Sequence, residues 1–226
     1  LYFLSGWVAL FVRSSMGGGS RTTESLARSV IGGLRYVKGQ PALWATLVLV
    51  LIFESSGWTF HTTVVPIFAR NELGVDSSGL GLLLFAFGVG AVGASLGWTM
   101  IGNRRSVGKY MIASVVVWHA SILVFATSHV FYVSMAIIVV TGAGFASTQF
   151  FMLSALLGNS QPEYRGRVMS LRSLAIYAFA LGSISSGAIA DVWSAPHAAA
   201  VVGMMGIVLV LLLAVLAPKL RRLQAS

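Results

Sequence analysis

The stretch SGLGLLLFAFGVGAVGASLGWTMI, residues 78–101, decides the fold class of this chain. None of its 24 residues is charged. A helix that crosses the hydrocarbon core of a bilayer needs about 20 consecutive, mainly apolar residues. The stretch is long enough and apolar enough to meet that requirement. It is therefore predicted to be a transmembrane helix.

The same stretch contains two patterns that are typical of soluble enzymes. Gly88, Gly90 and Gly93 spell the G-x-G-x-x-G of dinucleotide-binding loops, and residues 93–97 spell the G-x-S-x-G that surrounds a hydrolase serine. Both motifs require a strand and a turn before the helix begins, and a continuous apolar run supplies neither. Small residues spaced four apart instead let membrane helices approach closely. We therefore predict that Gly88, Gly90, Gly93 and Gly97 pack helices together.

The composition of the whole chain agrees with a membrane protein. Of its 226 residues, 57% are hydrophobic and 9% are charged, whereas soluble domains are about 25% charged. The chain has no cysteine, which excludes disulfides and thiolate metal sites. Its histidines form no H-E-x-x-H pair, so no metal site is predicted, and no cofactor is expected. The composition indicates an all-α integral membrane protein.

Long apolar runs separate the basic groups of the chain and set the number of crossings. Two runs have the length of a single crossing. Two longer runs must each cross twice, with turns predicted near residues 127–129 and 191–196. The prediction is a six-transmembrane-helix bundle whose apolar runs cover residues 41–66, 78–101, 110–157 and 174–218.

The basic residues predict the orientation of this bundle. In the six-helix arrangement all of the 15 Lys and Arg residues except Arg70 lie on one side of the membrane. The positive-inside rule assigns that side to the cytoplasm. The net charge of +9 is thus interpreted as a topology signal, with the headgroups of the lipid bilayer as its partner. A nucleic-acid partner is not predicted.

The segments outside the bundle complete the predicted domain organisation. Residues 1–12 are apolar but too short to span alone, and we interpret them as the end of a preceding transmembrane helix. Residues 13–40 are predicted to be a cytoplasmic linker with a flexible start and an amphipathic helix that rests in the membrane interface. Residues 41–218 form the bundle, and residues 219–226 form a cytoplasmic tail.

Three stretches carry a resemblance to a known family. They are IGGLRYVKGQPALW (31–44), VVPIFARNELGVDSSGLGLLLFAFGVGAVGASLG (64–97) and PEYRGRVMSLRSLAIYAFALGSISSGAIAD (162–191). Together with the linker and the six crossings, they resemble the carboxy-terminal half of a major facilitator superfamily transporter. The resemblance is to helices seven to twelve of the drug and siderophore branch, of which enterobactin exporters are typical members.

This resemblance implies a function, a location and a partner. The implied function is proton-coupled export of drug-like or siderophore-like small molecules by alternating access, in the bacterial inner membrane. The implied partner is an amino-terminal six-helix half, supplied by the same full-length chain or by a second copy. Two alternatives stay open on the residues alone. One is a non-transporting membrane scaffold or receptor, and the other is a membrane-embedded enzyme.

Glu54 is the main candidate for binding a proton or a substrate. It lies twelve residues before Pro66, or about 18 Å along a helix axis, and so close to the middle of the membrane. Acidic residues at that depth usually mark ion or substrate sites. Loss of water disfavours the charged form of a carboxyl group, which suits proton binding. The alternative is a protonated or locally paired glutamate with a structural role.

Other candidates lie on the same helix and on helices that line the cavity in the family. His61 is predicted within about 20° of the helical face that carries Glu54, and Trp58 could stack on an aromatic or cationic ligand. Gln149 and Tyr177 are candidate substrate contacts. Hydrogen bonding or packing between helices is the competing interpretation for all four.

Two basic loops are candidate gates. Arg104 and Arg105 lie in a segment that resembles the family's gating loop between helices eight and nine, although the acidic residue often found there is absent. Arg165 and Arg167 follow Pro162 in the next loop on that side. The resemblance implies a latch for this pair, and a helix cap or a contact with lipid headgroups is the alternative.

Overall fold

The computed structural model describes residues 26–101, 106–221 and 223. These residues are almost entirely helical, with no strand among them. Six helices in this part of the chain are long and apolar enough to cross a membrane, which confirms the predicted fold class. We call them the first to the sixth span, in chain order: Pro41–Asn71, Ser77–Ile101, Val107–Ala126, Phe131–Gly158, Pro162–Val192 and Ala195–Leu216.

Two further helices flank the spans. The linker helix, Leu26–Lys38, precedes the first span, and a single turn, Pro218–Arg221, follows the sixth. We call the end of the bundle that carries both of them the linker end. The predicted segment 1–12, the start of the linker and half of the tail lie outside the described residues.

The first span is longer and less regular than its apolar run predicts. It consists of the α-helix Pro41–Ile52, the π-helices Phe53–Trp58 and Phe60–Val64, and the α-helix Val65–Asn71. Pro66 is the second residue of this last helix, which continues directly from the π-helix, and proline is tolerated inside membrane helices where other groups satisfy the freed backbone. The span therefore continues beyond the proline that was expected to end it.

The fifth span begins about one helical turn into the predicted loop. It starts with the 3-10 turn Pro162–Tyr164, continues as the α-helix Arg165–Ala175, and passes through the 3-10 turn Ile176–Ala178 into the α-helix Phe179–Val192. The apolar run starts only at residue 174 because the preceding helix carries three arginines. Long basic side chains can reach the membrane surface from within a helix, so these arginines do not end the span.

The second and fourth spans cross at two glycines. A methyl group added to Gly90 would collide with the carbonyl oxygen of Val139, and one added to Gly142 would collide with the carbonyl oxygen of Phe87. The two backbones are therefore in direct contact, as small residues allow in membrane helices.

The other three predicted packing glycines have different surroundings. A methyl group added to Gly88, Gly93 or Gly97 meets no heavy atom within 4 Å among the described residues. Their predicted role in helix packing could then apply only to a contact beyond the described residues, and it stays a prediction.

Large apolar side chains of the second and fifth spans point away from the bundle. Phe85 is 69% exposed, Leu181 is 74% exposed and Ile184 is 73% exposed. The first span has the opposite character, since most of its side chains are buried and it lies at the centre of the bundle. The candidate residues on the first span are thus enclosed by the other helices.

Candidate functional site

The candidate site is built on the π-helical middle of the first span. A π-helix replaces the usual i→i+4 hydrogen bonds with wider i→i+5 bonds, is rare, and is frequent at functional sites. The hydroxyl of Ser56 donates to the carbonyl oxygen of Ile52 at 2.5 Å, and the hydroxyl of Ser55 donates to the same oxygen at 3.3 Å. Two side-chain hydroxyls therefore add to the backbone hydrogen bonds at the start of the first π-helix.

The fifth span packs closely against this π-helical segment. A methyl group added to Gly182 would collide with the carbonyl oxygen of Ser55 and with the hydroxyl of Thr59. The Thr59 hydroxyl donates to the carbonyl oxygen of Phe179 at 3.4 Å. The first and fifth spans are therefore joined at the level of the candidate site.

Glu54 lies at the start of the π-helical segment and is only 4% exposed. The positive charge that acts on its carboxyl group is the guanidinium of Arg172, from the fifth span. Arg172 Nη2 in turn donates to Oε1 of Gln149 at 2.9 Å. Of these three side chains only Arg172 and Gln149 are joined by a hydrogen bond, and Glu54 feels the charge of Arg172. We call the three, which come from the first, fourth and fifth spans, the polar cluster.

Arg172 was not among the candidates from the sequence. It lies two residues before the predicted start of a crossing, where a basic residue also fits the positive-inside pattern. Its Nε is buried and has no hydrogen-bond partner among the described residues. Among these residues the guanidinium therefore has a free N–H donor on Nε, in addition to the Nη2 group that donates to Gln149.

His61 has different neighbours from Glu54. It is 7% exposed, and neither ring nitrogen has a hydrogen-bond partner in the described part of the chain. Its ring lies 4.1 Å from that of Phe87, 6.0 Å from that of Trp118 and 6.1 Å from that of Trp58, measured between ring centroids. The prediction that His61 and Glu54 share a helical face was based on α-helical spacing. That spacing does not hold across the π-helices in which the two residues lie.

The other predicted side chains divide between the interior and the surface. Trp58 is half-buried, and its ring stacks on Phe145 at 5.2 Å. Gln149 accepts the hydrogen bond from Arg172. Tyr177 is 71% exposed. Its predicted contact with substrate stays a prediction.

A second buried hydrogen-bonded pair links the π-helical segment to the third span. Ser56 Oγ lies 2.9 Å from His119 Nε2, and His119 Nδ1 lies 2.9 Å from the carbonyl oxygen of Val115. Gly206 of the sixth span packs directly on the His119 ring. His119 lies on the third span and therefore contacts the first span through Ser56 and the sixth span through Gly206.

The linker helix is docked on the start of the fifth span. The rings of Tyr36 and Tyr164 are stacked with centroids 4.0 Å apart, and the Tyr36 hydroxyl accepts a hydrogen bond from the backbone N–H of Gln161 at 3.1 Å. The guanidinium of Arg167 lies over the Tyr164 ring, 5.6 Å from its centroid. Five residues further along the same helix is Arg172. The linker helix and the polar cluster thus share one helical segment.

The candidate gating residues differ in how far the structure describes them. Arg167 contacts the linker helix, because a methyl group added to Gly33 would lie 3.3 Å from its Cβ. Arg165 is exposed at the start of the same helix. Arg104 and Arg105 lie outside the described residues. Among the described residues, no group of three or more His, Asp or Glu side chains could hold a metal ion.

Comparison with known proteins agrees with this architecture. A major facilitator superfamily model described as a transmembrane secretion effector matches residues 2–226. No curated protein matches the chain. The chain belongs to this transmembrane secretion effector family, and it is a multi-pass membrane transporter.

Proposed function

We propose that this member of the transmembrane secretion effector family is part of a proton-coupled exporter of drug-like or siderophore-like small molecules. The observation that supports this proposal most strongly is the buried carboxyl group of Glu54, placed in a π-helix beside the charge of Arg172. An ionisable residue inside a membrane helix is by default a functional site.

The polar cluster offers a direct way to couple a proton to helix movement. When Glu54 is ionised, Arg172 attracts it and the first and fifth spans are held together. When Glu54 binds a proton, that attraction is lost. Gln149 keeps Arg172 in place throughout, since its Oε1 accepts from Arg172 Nη2. Protonation therefore weakens an electrostatic attraction between two spans without displacing the arginine.

A substrate can act on the same cluster. A cationic group would compete with a proton for the Glu54 carboxylate, and an anionic group would compete with Glu54 for the guanidinium of Arg172 and so favour the protonated carboxyl group. Either competition links the charge state of Glu54 to the presence of substrate. The aromatic side chains of Trp58 and Phe145 nearby supply apolar surface for a drug-like molecule.

Alternating access requires a second bundle, which we propose is an amino-terminal six-helix half. The exposed apolar faces of the second and fifth spans support this assignment, because they are the faces that a neighbouring bundle would cover. The basic residues of the linker end would lie on the cytoplasmic side of a bacterial inner membrane.

The proposal is tested with the full-length protein in liposomes that contain a fluorescent cationic dye and a trapped pH indicator. An imposed pH gradient is expected to drive dye movement together with proton movement. Glu54→Gln is expected to abolish both.

Glu72→Gln is the matched control, because Glu72 caps the far end of the same span, away from the cluster. This variant should behave as the native protein does. Proton movement that persists in Glu54→Gln contradicts the assignment of Glu54. A protein that moves neither dye nor protons in any variant instead indicates a scaffold or receptor.

A further inference from the structure

A groove at the linker end runs between the start of the first span and the end of the sixth. Its volume is about 440 Å³. The walls are apolar apart from Lys219, and we call the part lined by Pro41, Pro218 and Lys219, at the ends of the two spans, the mouth. The residues that line it are Pro41, Trp44, Ala45, Val48, Leu213, Leu216, Ala217, Pro218 and Lys219.

The shape of the groove suits an acyl chain. From Pro41 at the mouth to Val48, the first span advances about 10 Å along its axis. The groove therefore extends about 10 Å from the linker end toward the middle of the bundle. Trp44 is 42% exposed and forms one wall near the mouth, in the interfacial position that tryptophan favours in membrane proteins.

The composition of the sixth span favours lipid as the neighbour of this part of the bundle. From Ala198 to Ala217 the span has no polar side chain. Leu212, Val215 and Leu216 are 51%, 67% and 78% exposed. A surface that is both exposed and entirely apolar is stable where lipid surrounds it. The polar cluster lies elsewhere, between the first, fourth and fifth spans.

The charges at the mouth are complementary to a phosphate group. The side chain of Lys219 is exposed there. The first span begins at the mouth with no side-chain cap, so the positive end of its helix dipole lies at the same place. The negative end of the sixth span is offset by Arg221, whose Nε donates to the carbonyl oxygen of Ala214 at 2.6 Å. The net field at the mouth therefore favours an anion.

We infer that this groove is a binding site for one anionic phospholipid, with an acyl chain along Trp44, Val48 and Leu213 and the phosphate beside Lys219. The bound lipid fills the space between the first and sixth spans at the linker end. The inference is independent of the proposed export activity, because it rests only on the groove and its charges.

Quenching of Trp44 fluorescence tests this site in the full-length protein, reconstituted in phosphatidylcholine membranes. Bromine on an acyl chain quenches a tryptophan that the chain touches. The Trp44 contribution is isolated by subtracting the signal of Trp44→Phe. Brominated phosphatidylglycerol is expected to quench this contribution with a relative affinity about fivefold above that of brominated phosphatidylcholine, as one nearby lysine can provide.

Two lysine variants distinguish a site from general surface charge. Lys219→Gln is expected to bring the affinity ratio close to one. Lys109→Gln should leave the ratio unchanged, because Lys109 is exposed at the same end of the bundle but does not line the groove. Equal quenching by the two lipids overturns the inference. So does an equal effect of the two variants, and so does a Trp44 contribution that no brominated lipid quenches.

Discussion

Arg172 Nη2 donates a hydrogen bond to Oε1 of Gln149 at 2.9 Å and thereby holds a half-buried positive charge between the fourth and fifth spans, from where it acts on the carboxyl group of Glu54. The three side chains come from the fifth, fourth and first spans. A buried charge is stable only when it is paired and hydrogen-bonded. This arrangement makes Gln149 a positioning residue rather than a direct proton carrier.

Gln149→Ala is therefore expected to reduce transport by about tenfold. A hydrogen bond to a charged group contributes about 1.5–3 kcal/mol, and without it Arg172 is no longer fixed beside Glu54. Transport by proteoliposomes measures the effect. Gln161→Ala is the control, since the Gln161 side chain is exposed at the linker end. An unchanged rate in Gln149→Ala contradicts this role of the amide.

Gly90→Ala is expected to destabilise the protein by about 1–3 kcal/mol, because the added methyl group would meet the carbonyl oxygen of Val139. Gly93→Ala tests the same substitution three residues along the helix, where nothing lies within 4 Å among the described residues. Thermal unfolding in detergent compares the two. A lower melting temperature in Gly93→Ala than in Gly90→Ala would contradict the close helix contact at Gly90.

Ser56→Ala is expected to cost about 1 kcal/mol of stability, since it leaves Nε2 of the buried His119 without its partner. Ser95→Ala is the comparison. The Ser95 hydroxyl is exposed and bonds only to the carbonyl oxygen of Ala91, on its own helix. Chemical denaturation of the two variants measures the difference, and equal stabilities would mean that the contact between Ser56 and His119 contributes nothing.

Tyr36→Ala is expected to undock the linker helix from the fifth span. It removes the ring stacked on Tyr164, and such a pair contributes about 0.5–1.5 kcal/mol. Tyr36→Phe keeps the stack and loses only the hydrogen bond from Gln161. Amide hydrogen exchange over residues 30–38 should rise strongly in the first variant and slightly in the second. Unchanged exchange in Tyr36→Ala would show that other contacts dock this helix.

The six spans could be predicted because apolar runs without lysine or arginine, bounded by basic residues, have the lengths that the thickness of a bilayer requires. The start of the fifth span could not. Arg165, Arg167 and Arg172 interrupt the apolar run, but they do not interrupt the helix. Hydropathy reports where a helix enters hydrocarbon, and the backbone hydrogen bonds continue beyond that point.

The candidate site could be predicted only in part. Glu54 is conspicuous because acidic residues are rare in apolar runs. Arg172 is not conspicuous, because the positive-inside rule already explains an arginine at the end of a membrane helix. The π-helices leave no mark in the hydrophobic pattern, so the relation between Glu54 and His61 was predicted with α-helical geometry. Glycine spacing likewise identifies a helix that can pack closely against another. It does not identify which glycine lies in the contact, because the position of the partner helix determines that, here at Gly90.

Proton release on substrate binding tests the central claim most directly. The full-length protein is held in weakly buffered detergent solution with a pH-sensitive dye, and a transported cationic substrate is added near neutral pH. A cationic substrate that takes the place of a proton on the Glu54 carboxylate is expected to release up to one proton per binding site in the native protein and in Glu72→Gln, and none in Glu54→Gln. Equal proton release by Glu54→Gln and the native protein would contradict the account.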